Sequence, residues 1–177
     1  MDNIYNGLTL AHNIGDIQHS NYHTREQIIN TKQPIGFDGI YQSVYDNQYC
    51  LQGKSGIFFV MGNYVGSDNS FDLAYVPQLE KYCTWEQIKE MSEKYGFAIG
   101  WHTWSHPNLT HISRHEMVKE ITPPFPMDYF AYPYGEYNQV VIDVVKECGF
   151  KKAWSVTQGS SDVNSQDYNY KIYRNYI

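Results

Sequence analysis

Two histidines four residues apart, His102 and His106, stand in the stretch Ile99-Gly100-Trp101-His102-Thr103-Trp104-Ser105-His106-Pro107. Neutral imidazole is a good ligand for zinc and related divalent ions. Two of them at this spacing reach one ion when the intervening loop starts a helical turn. The pair by itself is equally a histidine-rich surface turn, but its place after an apolar run and before Pro107 favours a site. Asp38, in Ile35-Gly36-Phe37-Asp38-Gly39-Ile40, ends another apolar run and is either a ligand, a general base or an N-cap. A third stretch, Tyr129-Phe130-Ala131-Tyr132-Pro133-Tyr134-Gly135, places a Pro-Tyr-Gly turn after a run of the same kind. Such a turn either presents backbone N–H groups to a developing oxyanion or merely connects a strand to a helix.

The elements that carry these residues follow from hydrophobic patterning. Consecutive apolar positions mark strands covered on both faces at Gly7 to His12, Pro34 to Asp38, Gly56 to Met61, Phe97 to Trp101, Asp128 to Tyr132 and Lys152 to Val156. Helices alternate with them. Thr84-Trp85-Glu86-Gln87 and Ser113-Arg114-His115-Glu116 are capping boxes, and Asn138 opens a third helix. Gly96 and Gly149 stop the first and third, and a fourth helix is predicted over Ile40 to Leu51. Alternating strands and helices predict an α/β fold with a mainly parallel sheet. The 177 residues are expected to form a single domain over 1–177, but a complete eight-unit barrel takes about 250 residues, so a reduced or distorted (β/α) barrel is expected. Active residues of such folds sit at strand C-terminal ends, which singles out His12, Asp38, His102 and Tyr134.

Composition narrows the function classes. The net charge is −6 and the chain contains no basic run, which argues against nucleic acid as a partner. No apolar run reaches the length of a membrane span. The three cysteines, Cys50, Cys83 and Cys148, fit neither a zinc motif nor a disulfide framework and are expected to be reduced and mostly buried. The 17 tyrosines suit either a half-buried core or a sugar-binding groove. Met1 to Asn6 lacks the form of a signal peptide. A cytoplasmic location is expected if Met1 is the native start, and an extracellular or periplasmic one if a signal peptide has been removed.

In this order the three stretches resemble the NodB-type polysaccharide deacetylases of carbohydrate esterase family 4. That family has a Thr-Phe-Asp-Asp-Gly motif, two histidines separated by three residues, and a Pro-Tyr-Gly turn. Gly56 to Tyr64 and Cys148 to Trp154 resemble its flanking segments. The resemblance implies removal of N-acetyl groups from amino sugars of a polysaccharide or oligosaccharide, with an N-acetylated glycan as partner. A divalent metal, zinc above all, is implied as cofactor. It implies His102 and His106 as metal ligands, Asp38 as base, and the Tyr134 amide at the oxyanion, with Tyr132 and Pro133 lining the groove. His12, in Leu8-Thr9-Leu10-Ala11-His12, resembles the early-strand acid of the branch that deacetylates exported poly-N-acetylglucosamine; the competing reading is a plain strand-end histidine.

Two positions depart from the pattern. Aligned without a gap, Gly39 stands where the family has its metal-binding Asp. A one-residue deletion would instead make Asp38 the ligand and leave no base. Either way a carboxylate is missing and weaker metal binding is expected. Ala131 stands where many relatives have an Arg that steadies the base. The Phe-Ala-Tyr-Pro-Tyr-Gly form also occurs in the branch just named, so the alternative, a catalytically degenerate glycan-binding protein, rests on Gly39. A further option is different chemistry, such as deformylation, with the metal completed by Asp16, Asp68 or Asp72.

Overall fold

The computed structural model describes residues 8–14, 22–73, 78–156 and 161–176. Six strands appear where both-face apolar runs predict them: β1 (Thr9–Ala11), β4 (Ile35–Asp38), β5 (Gly56–Val60), β6 (Ala98–Trp101), β7 (Tyr129–Ala131) and β8 (Lys152–Trp154). A short pair, β2 (Asn13–Ile14) and β3 (Tyr22–His23), and a C-terminal strand, β9 (Asn175–Tyr176), complete the strands of the described residues. The main sheet is parallel, in the order β8-β7-β6-β5-β4-β1-β9, and curls into the expected distorted (β/α) barrel.

The C-terminal segment spans the gap between the two ends of the sheet. Ser155 N–H donates to Ile172 O at 2.8 Å and Ile172 N–H to Ala153 O at 3.2 Å, which attaches the segment to β8. Asn175 and Tyr176 then pair with Thr9 and Leu10 of β1. Arg174 lies between these two attachments.

Strand alternation separates two apolar clusters. Phe37, Phe58, Val60, Trp101, Phe130 and Ala153 face the helices, together with Ile88, Met91, Val141 and Val145. Leu8, Ile57, Phe59, Ala131, Trp154 and Ile172 pack on the other face, inside the curl. Gly36 belongs to that inner face: a Cβ there would come 2.7 Å from Leu8 Cδ2 and 3.2 Å from Arg174 Nη1. The missing side chain gives Arg174 its space.

The outer helices follow their sequence signals. In α3 (Trp85–Tyr95) and α4 (Arg114–Ile121) both predicted capping boxes form, and Gly96 ends α3 in the left-handed conformation. Asn138 caps α5 (Gln139–Glu147) by accepting from Val141 N–H. A further capping box, Thr24 with Gln27, opens α1 (Arg25–Asn30).

The helix predicted over Ile40 to Leu51 is interrupted. It divides into α2 (Gln42–Asp46) and a 3-10 turn, Gln48–Leu51. Asn47 breaks it because its side chain is engaged elsewhere, donating to Ile14 O and Ser43 O while accepting from Arg25 Nε. The three cysteines are free thiols; Cys50 and Cys83 are buried and Cys148 is half-buried. Among the described residues no helix is long and apolar enough to cross a membrane.

Candidate active site

The residues of the candidate site stand at the C-terminal ends of the parallel strands. Asp38 is the last residue of β4, His12 follows β1 by one position, and His102 follows β6 by one. Leu8, Leu10 and His12 alternate on one face, as do Gly36 and Asp38, and Gly100 and His102. His12, Asp38, His102 and His106 line one depression, with Phe71 and Asp72 on one flank and Tyr134 on the other.

Asp38 is 5% exposed and fully paired. Arg174 donates from Nη1 to Oδ1 at 2.6 Å and from Nη2 to Oδ2 at 2.8 Å, with its Nε on Ser155 O at 3.1 Å. The guanidinium also stands 5.3 Å from the centre of the Phe59 ring. Burial alone would raise the carboxyl pKa, but the charges of Arg174 and then His102 outweigh it and bring it down to about 2. Asp38 is therefore ionised at neutral pH. Arg174 supplies the cation beside Asp38 that Ala131 cannot. It arrives from the far end of the chain, and sequence reasoning missed it.

His102 Nδ1–H donates to Ala131 O at 2.7 Å, which fixes the tautomer and leaves Nε2 with its lone pair, 3.7 Å from Asp38 Oδ2. Burial lowers its pKa. The His106 ring lies 4.8 Å from that of His102, and its buried Nδ1 has no hydrogen-bond partner. Burial, then the neighbouring His102, takes the His106 pKa down to about 3. His12 Nδ1 is likewise buried without a partner, and burial takes the His12 pKa down to about 4 against the pull of Asp38. All three imidazoles are neutral at physiological pH, the state that ligates a metal. His12 must gain a proton before it can act as an acid.

These features fit a divalent ion in part. Two neutral imidazoles with unpaired ring nitrogens suit one. Among the described residues, however, no three His, Cys, Asp or Glu side chains converge as a metal-holding group. Gly39, next to Asp38, has φ 62°, and a Cβ there would meet Met61 Cε at 2.5 Å and Tyr82 Cε1 at 3.2 Å. The space into which a side chain at 39 would grow holds a thioether and a phenol. Of the other carboxylates considered, Asp72 lines the depression and burial raises its pKa. Asp68 instead accepts from Ser70 N–H in its own turn, and Asp16 lies outside the described residues.

The Pro-Tyr-Gly turn has left-handed backbone at Tyr134 (φ 59°) and Gly135 (φ 71°) and is held by Gly135 N–H to Tyr132 O at 2.9 Å and Ser155 Oγ–H to Gly135 O at 3.0 Å. The Tyr134 ring is 48% exposed and lies 4.6 Å from His106. Tyr132 and Pro133, expected in the groove, lie beneath it. Alternation along β7 turns Tyr132 towards the helices with Phe130, where it is fully buried and donates from its hydroxyl to Tyr170 O at 2.9 Å. Pro133 is buried as well. Across the depression, Phe71 is 40% exposed and stacks on Tyr64 with ring centres 3.8 Å apart. His111 and His115 are exposed and stand in a 3-10 turn and in the first turn of α4.

The sequence profile described as "Polysaccharide deacetylase" matches residues 37–153. Among curated proteins, the poly-beta-1,6-N-acetyl-D-glucosamine N-deacetylases of Staphylococcus aureus strains MRSA252 and N315 are 25% identical over 154 residues, covering 76% of this chain and 51% of theirs. The chain thus spans about half the length of the curated relatives it matches. Among solved structures, the Streptococcus pyogenes deacetylase PplD in complex with acetate superposes with a TM-score of 0.75 at 15% identity, covering 97% of this chain and 91% of that one. IcaB from Ammonifex degensii gives 0.72 at 18% identity, with 97% and 91% covered. At these identities the structural likeness speaks to the fold.

Proposed function

From the premise that this chain belongs to the polysaccharide deacetylase family, we propose that it is a metal-dependent amide hydrolase removing N-acetyl groups from amino sugars of a glycan. The observation that carries this reading is the gathering of His12, Asp38, His102 and His106 in one depression, with Tyr134 on its rim. The curated relatives carry the name of a poly-N-acetylglucosamine deacetylase, and a polymer of that type is the proposed substrate class.

His102 and His106 would hold the metal, which when bound polarises the acyl carbonyl and lowers the pKa of water. Asp38, ionised and fixed by both nitrogens of Arg174, takes the proton of the attacking water. The Tyr134 amide, in its left-handed turn, donates to the oxyanion. His12, protonated from solvent, gives its proton to the amine nitrogen as the C–N bond breaks, and the proton on Asp38 returns to solvent when acetate leaves. The exposed rings of Phe71 and Tyr134 on either side of His106 offer stacking faces to sugar rings.

Gly39 supports a second reading, a glycan-binding protein without turnover. On the ungapped alignment it removes a metal-binding carboxylate, and Met61 and Tyr82 occupy the space. Chelator-stripped protein, reloaded with graded zinc and given N-acetylglucosamine oligomers, separates the two. Acetate release that rises with zinc occupancy supports the hydrolase. Oligomer binding without acetate release at full occupancy supports the second reading.

A further inference from the structure

The loop between the two cavity histidines passes twice through left-handed backbone, at Thr103 (φ 70°) and His106 (φ 58°). A β-branched residue at positive φ is rare and strained, so such a bend persists only where its surroundings hold it. Its carbonyls are held from one side by the turn after β5: Gly62 N–H donates to Thr103 O at 3.0 Å and Asn63 N–H to Trp104 O at 2.9 Å. The His106 N–H donates to Thr103 Oγ1 at 3.0 Å inside the loop, and the N–H groups of Trp104 and Ser105 are held from the other side by a single carboxylate. Glu120, in the last turn of α4, accepts on Oε2 from Trp104 N–H at 2.9 Å and Ser105 N–H at 2.8 Å, and on Oε1 from the Ser105 hydroxyl at 2.6 Å. The same helix end receives two indoles, Trp101 Nε1–H on Glu120 O at 3.0 Å and Trp104 Nε1–H on Thr122 O at 2.9 Å. Those are carbonyls that a helix leaves free at its C-terminus.

We propose that Glu120 is a positioning residue for the active site: through the 103–105 bend it sets the placement of the His106 imidazole relative to that of His102. This deepens the functional reading above and rests on it only in treating the two histidines as one working pair. Glu120 is not among the residues lining the depression, so its effect passes through the loop. A carboxylate suits the task because its two oxygens accept several hydrogen bonds at once, and bonds to a charged acceptor are about twice as strong as neutral ones. Glutamine can keep the pattern. Its carbonyl oxygen accepts both backbone N–H groups and its amide donates to the Ser105 hydroxyl, whereas alanine leaves both N–H groups unpaired.

The test compares Glu120→Ala and Glu120→Gln with wild type in three readouts: amide hydrogen exchange at Trp104 and Ser105, imidazole nitrogen resonances of His102 and His106 in metal-free protein, and zinc affinity by calorimetry. The alanine variant is expected to exchange at least about tenfold faster at those amides and to shift the His106 resonances. It is expected to lose about 10- to 100-fold in zinc affinity, while glutamine stays near wild type in every readout. Wild-type exchange and resonances in Glu120→Ala overturn the proposal. So does a lower melting temperature in both variants with the resonances and zinc affinity unchanged, which would mark Glu120 as merely structural. Should wild type itself take up no zinc, the metal reading fails separately, and exchange and resonances decide the role of Glu120.

Discussion

Replacing Arg174 with methionine removes the cation that the buried Asp38 carboxylate depends on. Arg174 is fully buried and gives two nitrogens to the carboxylate at 2.6 and 2.8 Å, so the variant leaves a charge in the barrel interior without a counterion. Breaking one side of a buried pair costs about 3–5 kcal/mol. For a domain of this length each kcal/mol moves the melting temperature by roughly 2–4 °C, so a fall of about 6–20 °C is expected. Burial pushes the carboxyl pKa up once the guanidinium is gone, so Asp38 takes a proton at higher pH than in wild type and part of the cost is met that way. The double variant Asp38→Leu with Arg174→Met removes both charges and should be more stable than Arg174→Met alone. Urea unfolding of the four proteins near neutral pH measures the cycle. A loss below about 1 kcal/mol in Arg174→Met, or a double variant less stable than both singles, would refute the reasoning.

Further outcomes follow from the same geometry. Gly39→Asp and Gly39→Ala should each cost about 1–2 kcal/mol in thermal unfolding, because position 39 is left-handed, while only the aspartate strengthens zinc binding. Equal zinc affinity in the two would show that residue 39 does not face the metal. The Tyr41 phenol, pushed up by burial to about 12, and Tyr82, raised further, keep their protons longer in the folded chain than in the unfolded one. The folded state then binds more protons above about pH 10, so stability should fall as pH rises past that point, and less steeply in Tyr82→Phe. Urea midpoints across the alkaline range check this, and a midpoint independent of pH there contradicts it. Phe71→Ala should raise KM for N-acetylglucosamine oligomers roughly 2- to 10-fold with kcat nearly unchanged, the range of one lost aromatic contact. A fall in kcat at constant KM would remove Phe71 from the binding face.

The sheet was legible because its strands are covered on both faces: Pro34 to Asp38 and Phe97 to Trp101 read as apolar runs, and their ends deliver Asp38 and His102 to one rim. Capping chemistry placed α3, α4 and α5 from Thr84, Ser113 and Asn138 alone. Thr24-Arg25-Glu26-Gln27 carries the same capping-box form at α1 and was readable by the same rule. The family resemblance puts Tyr132 in the groove, and because every position of Tyr129 to Tyr132 is apolar or aromatic, composition offers no sign of the alternation that turns it to the helices. Arg174 was missed because a lone arginine in Tyr173-Arg174-Asn175 follows no local pattern, and its partner lies 136 positions away. One signal pointed to it: an aspartate ending a fully buried strand needs a cation, and Ala131 cannot provide it.

The most direct test of the central claim is mass-resolved loss of acetyl groups from N-acetylglucosamine oligomers incubated with zinc-loaded wild type and with zinc-loaded Asp38→Asn. Oligomers that lose acetyl groups with wild type, one free amine per acetate, and persist intact with folded Asp38→Asn are the predicted result. Equal acetyl loss with both proteins, or none with wild type at full zinc occupancy, would contradict the account.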